Sequence, residues 1–222
     1  MKENLTIEKV IIEAKAFCMA QSKTPNKDLY GVTDGKAVGT LIEHKFQQHL
    51  ADNYVLTIGS SAKGIDLPSV DIDIKVTSIK QPQSSCPFKD AKQKIFGLGY
   101  NLLVFVYDKV DNPVTKTAHL DFVSYSFISK ERTADYTTTL RLREMVNDKA
   151  NVEDIIGYLN DKNIPADDIT LQQLAEQILL TPPTQGYLTI SNALQWRLQY
   201  QRIVTLTEKI DGINKIIDKM QS

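Results

Sequence analysis

Three acids and a lysine crowd one short stretch of this chain. In IGSSAKGIDLPSVDIDIKVTS, running from Ile58 to Ser78, Asp66, Asp71, Asp73 and Lys75 lie within ten residues of one another. Their background is apolar and β-branched. Side chains alternate between the faces of a strand, so a strand over Val70–Ser78 puts Asp71, Asp73 and Lys75 on one face and Ile72, Ile74 and Val76 on the other. Carboxylates buried without partners are costly, so an acidic face on a packed strand needs a reason. Paired carboxylates are what Mg²⁺ accepts while keeping its waters. A lysine one step along the strand can orient or deprotonate an attacking water, or neutralise charge on a phosphate. These residue types at this spacing predict metal-assisted chemistry on a phosphate ester.

Asp66 followed by Asp-Ile-Lys at 73–75 resembles the PD-(D/E)xK nuclease superfamily, in which an acid precedes an acid-x-lysine on the next strand. The resemblance implies that Asp66 and Asp73 ligate metal, with Mg²⁺ as cofactor, and that Lys75 positions or activates water. The first helix of that family often lends a further acid. Glu43 in GTLIEHKF stands where it would be, as an outer acid acting through water or a second metal. The stretch DIKVTSIKQPQSSCPFKDAKQKIFGLGY looks like type II restriction endonucleases as a group. The resemblance covers roughly residues 34–128 and implies an Mg²⁺-dependent endonuclease that hydrolyses DNA phosphodiester bonds. Only six residues separate Asp66 from Asp73, which requires a very tight hairpin. The proline that usually precedes the first acid is absent.

The same stretch admits a second reading. Gly59-Ser60 followed by Asp71-Ile72-Asp73 resembles the polymerase-β-type nucleotidyltransferases, with Asp121 in HLDFV as the third acid on a later strand. That family usually has a small polar residue before the first acid, where this chain has Val70. A third reading is a non-catalytic DNA-binding module that keeps the fold without the chemistry. The nuclease reading accounts for Asp66, Lys75, Glu43 and the downstream loop, and is preferred on the wider resemblance.

The elements that must position these residues can be read from periodicity. Residues 6–20 repeat apolar positions at helical spacing, and Asp34 caps a second helix marked by Val38, Leu41, Ile42 and Phe46. Strands follow at Tyr54–Ile58, Val70–Ser78, NLLVFVYD and AHLDFVSYSFI, with a helix over Phe88–Leu98 between them. Later helices are predicted at 136–147, 151–161, 169–180 and from about 188 onward. The fold class is α/β: a mixed central sheet flanked by helices, a restriction-endonuclease-like core, with a helical C-terminal part. The domain expectation is a catalytic core over 1–135 and a helical region over 136–222, for DNA contact or dimerisation. Ile203, Leu206, Ile210, Ile213, Ile217 and Met220 step by 3 and 4, which predicts a heptad seam on a C-terminal helix. Such a seam would serve a homodimer, since two-fold symmetry suits cutting both strands of a palindrome.

The net charge of −1 advertises no global attraction to nucleic acid, so a basic surface has to be local. From Lys75 to Lys94 the chain carries Lys75, Lys80, Lys89, Lys92 and Lys94 against the single acid Asp90. That stripe suits double-stranded DNA. QPQSSCP reads as a loop in which Gln81 and Gln83 read base edges while Ser84 and Ser85 bond phosphates or bases. Lys89 and Lys92 would reach the backbone. Cys18 and Cys86 form no metal-binding spacing, and charged residues interrupt the N-terminal apolar stretch. No apolar run is long enough to span a bilayer. A cytoplasmic protein without a membrane partner is the expectation.

Overall fold

The computed structural model describes residues 2–56, 65–86, 89–192 and 196–218. In chain order the elements are β1 (Glu3–Asn4), α1 (Ile7–Gln21), α2 (Gly35–Asn53), β2 (Tyr54–Val55), β3 (Ile72–Ser78), β4 (Gln83–Cys86), α3 (Gln93–Phe96), β5 (Asn101–Asn112) and β6 (Thr117–Ile128). A single 3-10 turn (Lys130–Arg132) precedes α4 (Tyr136–Asn147), α5 (Val152–Asp161) and α6 (Asp168–Leu180). The chain ends through β7 (Thr189–Asn192), β8 (Trp196–Gln199), α7 (Gln201–Val204) and β9 (Ile213–Asp218). It divides into two compact units. One comprises Met1–Ser84, Tyr100–Ile128 and Thr207–Ser222, the other Ser85–Gly99 and Ser129–Leu206.

The first unit is built on a mixed sheet ordered β3-β5-β6-β9. β3 and β5 are parallel, whereas β5–β6 and β6–β9 are antiparallel. The continuous apolar run of β5 is explained by its burial from Asn101 to Tyr107 in mid-sheet. Two capped helices pack on this sheet. Thr6 accepts from the Lys9 N–H to start α1, and Asp34 Oδ1 accepts from the Lys36 N–H at 2.9 Å to start α2. On α2, Val38, Ile42, Phe46 and Leu50 recur every four residues and are all buried. Phe17, Phe46, Phe105, Phe122 and Tyr125 gather with Ile72 and Ile74 in one core.

The second unit is mainly helical. Leu142, Ile155, Leu159, Leu171, Leu174 and Ile178 form its core from α4, α5 and α6. Each of these helices starts at a side-chain N-cap: Asp135, Asn151 (with a full capping box to Asp154) and Asp167. The buried Asp135 does more than cap α4. Oδ1 accepts from the Thr138 N–H and hydroxyl, and Oδ2 accepts from the Ile190 N–H at 2.8 Å, which pins β7.

Three expectations are corrected. The helix over Phe88–Leu98 shrinks to the one turn of α3, because Gly97 and Gly99 take φ of 94° and 86°. At Gly97 a Cβ would collide with the Lys130 carbonyl. QPQSSCP is not all loop: after a turn closed by the Gln81 N–H on the Ser78 carbonyl, Gln83–Cys86 is strand β4. Among the described residues from 188 to 218 the expected long helix is absent. β7, β8, the single turn α7 and β9 take its place. Gly212 has φ 80°, and the β-branched residues of INKIID suit the open edge of β6, where Ile128 faces Ile213. Ile203 and Ile213 consequently belong to different units, and no helix exists to carry a dimer seam through them. Met220 lies outside the described residues.

Candidate active site

The tight hairpin demanded by the Asp66–Asp73 spacing exists. Leu67 and Ile72 form an antiparallel bridge, with N–H groups donating to each other's carbonyls at 2.9 and 3.2 Å. The Val70 N–H also donates to the Leu67 carbonyl, and Asp71 closes the turn at φ 55°. This left-handed conformation is one that aspartate tolerates better than most residues. Asn101 braces the turn: its backbone N–H and its side-chain amide both donate to the Asp71 carbonyl, at 2.9 and 3.1 Å. Sequence reasoning missed Asn101. The only signal is a polar residue heading an apolar run.

The hairpin lays Asp66 against β3, where Asp66 Oδ2 accepts from the Ile74 N–H at 2.8 Å. Asp73 is 4% exposed, and its Oδ2 lies 2.7 Å from Lys75 Nζ. Glu43 arrives from α2. One turn earlier on that helix, Gly39 rests on the β3 backbone, where an added Cβ would lie 3.6 Å from the Val76 carbonyl oxygen. Glu43 thus stands beside the strand that carries Asp73 and Lys75.

Charge couples the four groups. Burial, reinforced by the Asp66 carboxylate, pushes Glu43 up to about 7 against the pull of Lys75. Burial also lifts Asp73 to about 7, with Lys75 opposing and a hydrogen bond to Asp66 adding to the rise. Burial works against the Lys75 ammonium, but Asp73, Asp66 and Glu43 together outweigh it and hold its pKa above the ordinary lysine value. Lys75 is therefore a cation at neutral pH.

Other predicted residues are placed differently. Asp71 belongs to the turn and not to the strand face it was expected to share. Asp121 faces Asp108 across β5–β6, whereas Asp73 faces Leu102. Those two β5 positions are six residues apart, about 20 Å along a strand. Gly59 and Ser60 lie outside the described residues. Gln81 is exposed and Gln83 and Ser84 are half-buried in the first unit; Ser85, Lys89 and Lys92 are exposed in the second. Thr77 holds the start of β4, exchanging hydrogen bonds of 3.0 Å with the Gln83 N–H and carbonyl.

A profile of the type II restriction enzyme NspV family matches residues 4–215. The chain is also 53% identical over 209 residues to the type II restriction enzyme NspV of Nostoc sp., covering 94% of this chain and 95% of the relative. The chain belongs to the NspV family of type II restriction enzymes. No solved structure matches it. A restriction enzyme is a DNA-cleaving hydrolase, and the class works with a divalent metal ion. Membership leaves the transferase and the non-catalytic module unsupported, in keeping with the distance of Asp121 from Asp73 along the sheet.

The residues present fit a divalent cation. Two aspartates and a glutamate surround one ammonium, all donor atoms are hard oxygens, and burial, with the Asp66 carboxylate adding to it, keeps Asp73 and Glu43 protonated up to about 7 until a cation replaces the protons. Among the described residues no three acids, histidines or cysteines close into a ready cage.

Proposed function

We propose that this restriction endonuclease hydrolyses duplex DNA at the β3 edge, with Asp66 and Asp73 holding Mg²⁺. One observation carries the reading: Asp66, Asp73, Lys75 and Glu43 form a single electrostatic cluster on and beside one strand. The cation, when bound, would supply Lewis acidity to the scissile phosphate. The remaining work falls to side chains of the chain. In hydrolysis a water oxygen bonds to phosphorus while a bridging P–O bond breaks, and the departing oxygen takes a proton from solvent. Lys75, kept as ammonium, stabilises charge gathering on the phosphate oxygens and orients the water. Glu43, poised at about 7, is suited to receive the proton that water gives up, through an intervening water.

DNA contact is assigned to Gln81, Gln83, Ser84, Ser85, Lys89 and Lys92, which follow the catalytic strand directly. The first unit would act as catalytic core and the second as a contributor to DNA contact. Among the described residues no helix is long and apolar enough to cross a membrane. A cytoplasmic location suits an enzyme whose substrate is intracellular duplex DNA.

Purified protein should cut long duplex DNA of varied sequence in Mg²⁺ and stop on addition of EDTA. Asp73→Asn should lower cleavage by a factor on the order of a thousand or more while duplex binding persists. Cutting that survives in Asp73→Asn would refute the assignment.

A further inference from the structure

One face of the second unit has cationic and aromatic character that the site on β3 does not use. Arg202, exposed on α7, stacks on the ring of Tyr136, with its guanidinium carbon 3.6 Å from the ring centroid. Tyr136 meets Tyr187 edge-on at 5.8 Å, and Arg132 lies over Tyr187 at 5.9 Å. The four side chains form a ladder: arginine, tyrosine, tyrosine, arginine.

The backbone holds this ladder rigid. The Tyr136 N–H donates to the Leu188 carbonyl, the Leu188 N–H to the Ala134 carbonyl, and the Tyr187 N–H to the Arg132 carbonyl. A Cβ on Gly186 would collide with the Ala134 carbonyl, so only glycine lets the two segments lie this close. The Gln185 amide caps the contact by donating to the Tyr136 carbonyl at 3.0 Å.

Two further features point to an anionic occupant. Among the described residues Arg202 makes no hydrogen bond and no ion pair, so its fork of N–H donors is held in place by the tyrosine yet uncommitted. In addition, the chain from Gln177 to Thr207 carries no acid at all, while Arg197 and Arg202 are its charged residues. Asp135, adjacent to Tyr136, is buried and satisfied by Thr138 and Ile190 and does not compete. A planar guanidinium already ordered on an aromatic face loses little freedom when it pairs with a phosphate.

We infer that the Arg202–Tyr136 stack is a phosphate anchor for duplex DNA, in addition to the contacts assigned to Gln81, Gln83, Ser84, Ser85, Lys89 and Lys92. The inference rests on the nuclease reading. Arg202 would bind the backbone, and Tyr136 is a positioning residue that acts through it.

The test is binding of a labelled random-sequence duplex in EDTA, followed by anisotropy over a series of KCl concentrations. Arg202→Ala should bind about tenfold more weakly, and the slope of log K against log salt should fall by about one. Tyr136→Leu should give a smaller loss with the slope unchanged, because the charge remains but is no longer held. Lys149→Gln, which removes an exposed charge at the end of α4, should bind as wild type does. Arg202 is exposed, so its replacement should leave the unfolding temperature unchanged. Wild-type affinity and slope in Arg202→Ala, or an equal loss in Lys149→Gln, would overturn the inference. Wild-type cleavage in Mg²⁺ is measured alongside. A protein that cuts but shows no Arg202 effect overturns this inference alone, whereas one that neither cuts nor binds overturns the nuclease reading as well.

Discussion

In the first unit, Asp66, Asp73 and Glu43 are gathered round Lys75 at the edge of β3. In the second, the chain from Gln177 to Leu206 has two arginines and no acid. Helices α5 and α6 of the same unit carry acids instead, at Glu153, Asp154, Asp161, Asp168 and Glu176. A formal net charge of −1 conceals both arrangements. An enzyme that cuts a polyanion must concentrate carboxylates where a cation will be held, and those carboxylates repel the substrate. A surface that grips the substrate must exclude them. On the proposed reading, the charge that cuts and the charge of the Arg202 anchor lie far apart in the sequence, so each can be removed without the other.

Lys75→Ala is the strongest way to sharpen that contrast. It should lower single-turnover cleavage by a factor on the order of a hundred or more, because no other cation of the cluster faces the phosphate. Duplex binding should stay within about twofold, since one lysine is a small part of a many-phosphate footprint. A parallel collapse of binding and cutting would show that the β3 edge also grips.

The next effect is in pH. Asp73 and Glu43 have folded pKa values of about 7 against ordinary values of 3.8 and 4.5. Raised carboxyl values mean that the folded protein binds more protons than the unfolded one in this window. Metal-free stability therefore falls as pH rises from the ordinary carboxyl values through about 7, then levels. Cation binding displaces those protons, so the rise in unfolding temperature caused by Mg²⁺ should be much larger at pH 8 than at pH 5. Equal Mg²⁺ shifts at the two pH values would remove the acid cluster from the metal site.

The smallest expected effects belong to the acids left outside the cluster. Asp71→Asn and Asp121→Asn should each keep cleavage within about twofold, because asparagine tolerates the left-handed turn at 71 and Asp121 is remote from Asp73. Asp66→Asn on the same substrate should lose orders of magnitude. Dispensable Asp66 with essential Asp71 would reverse the assignment of the site.

Local pattern was enough to determine a good deal. Acid-x-lysine on an alternating strand placed Asp73 and Lys75 together, because period two is a property of any extended chain. Asp34 and the four-residue spacing on α2 marked the helix that brings Glu43, and the helices at 136–147, 151–161 and 169–180 followed from the helical pattern of the chain. Tertiary structure decided what local pattern left ambiguous. INKIID carries isoleucines that fit either a heptad or a strand, and the open edge of β6 made it β9. Asp71 belongs to a period-two pattern with Asp73, yet its carbonyl is held by Asn101, thirty residues on, and the turn takes it out of the strand. Asp121 lies in a strand as expected, but only the register of β5 on β6 shows how far it is from Asp73. Hydrogen bonds between distant segments settle these points, and a window of neighbouring residues contains no information about such partners.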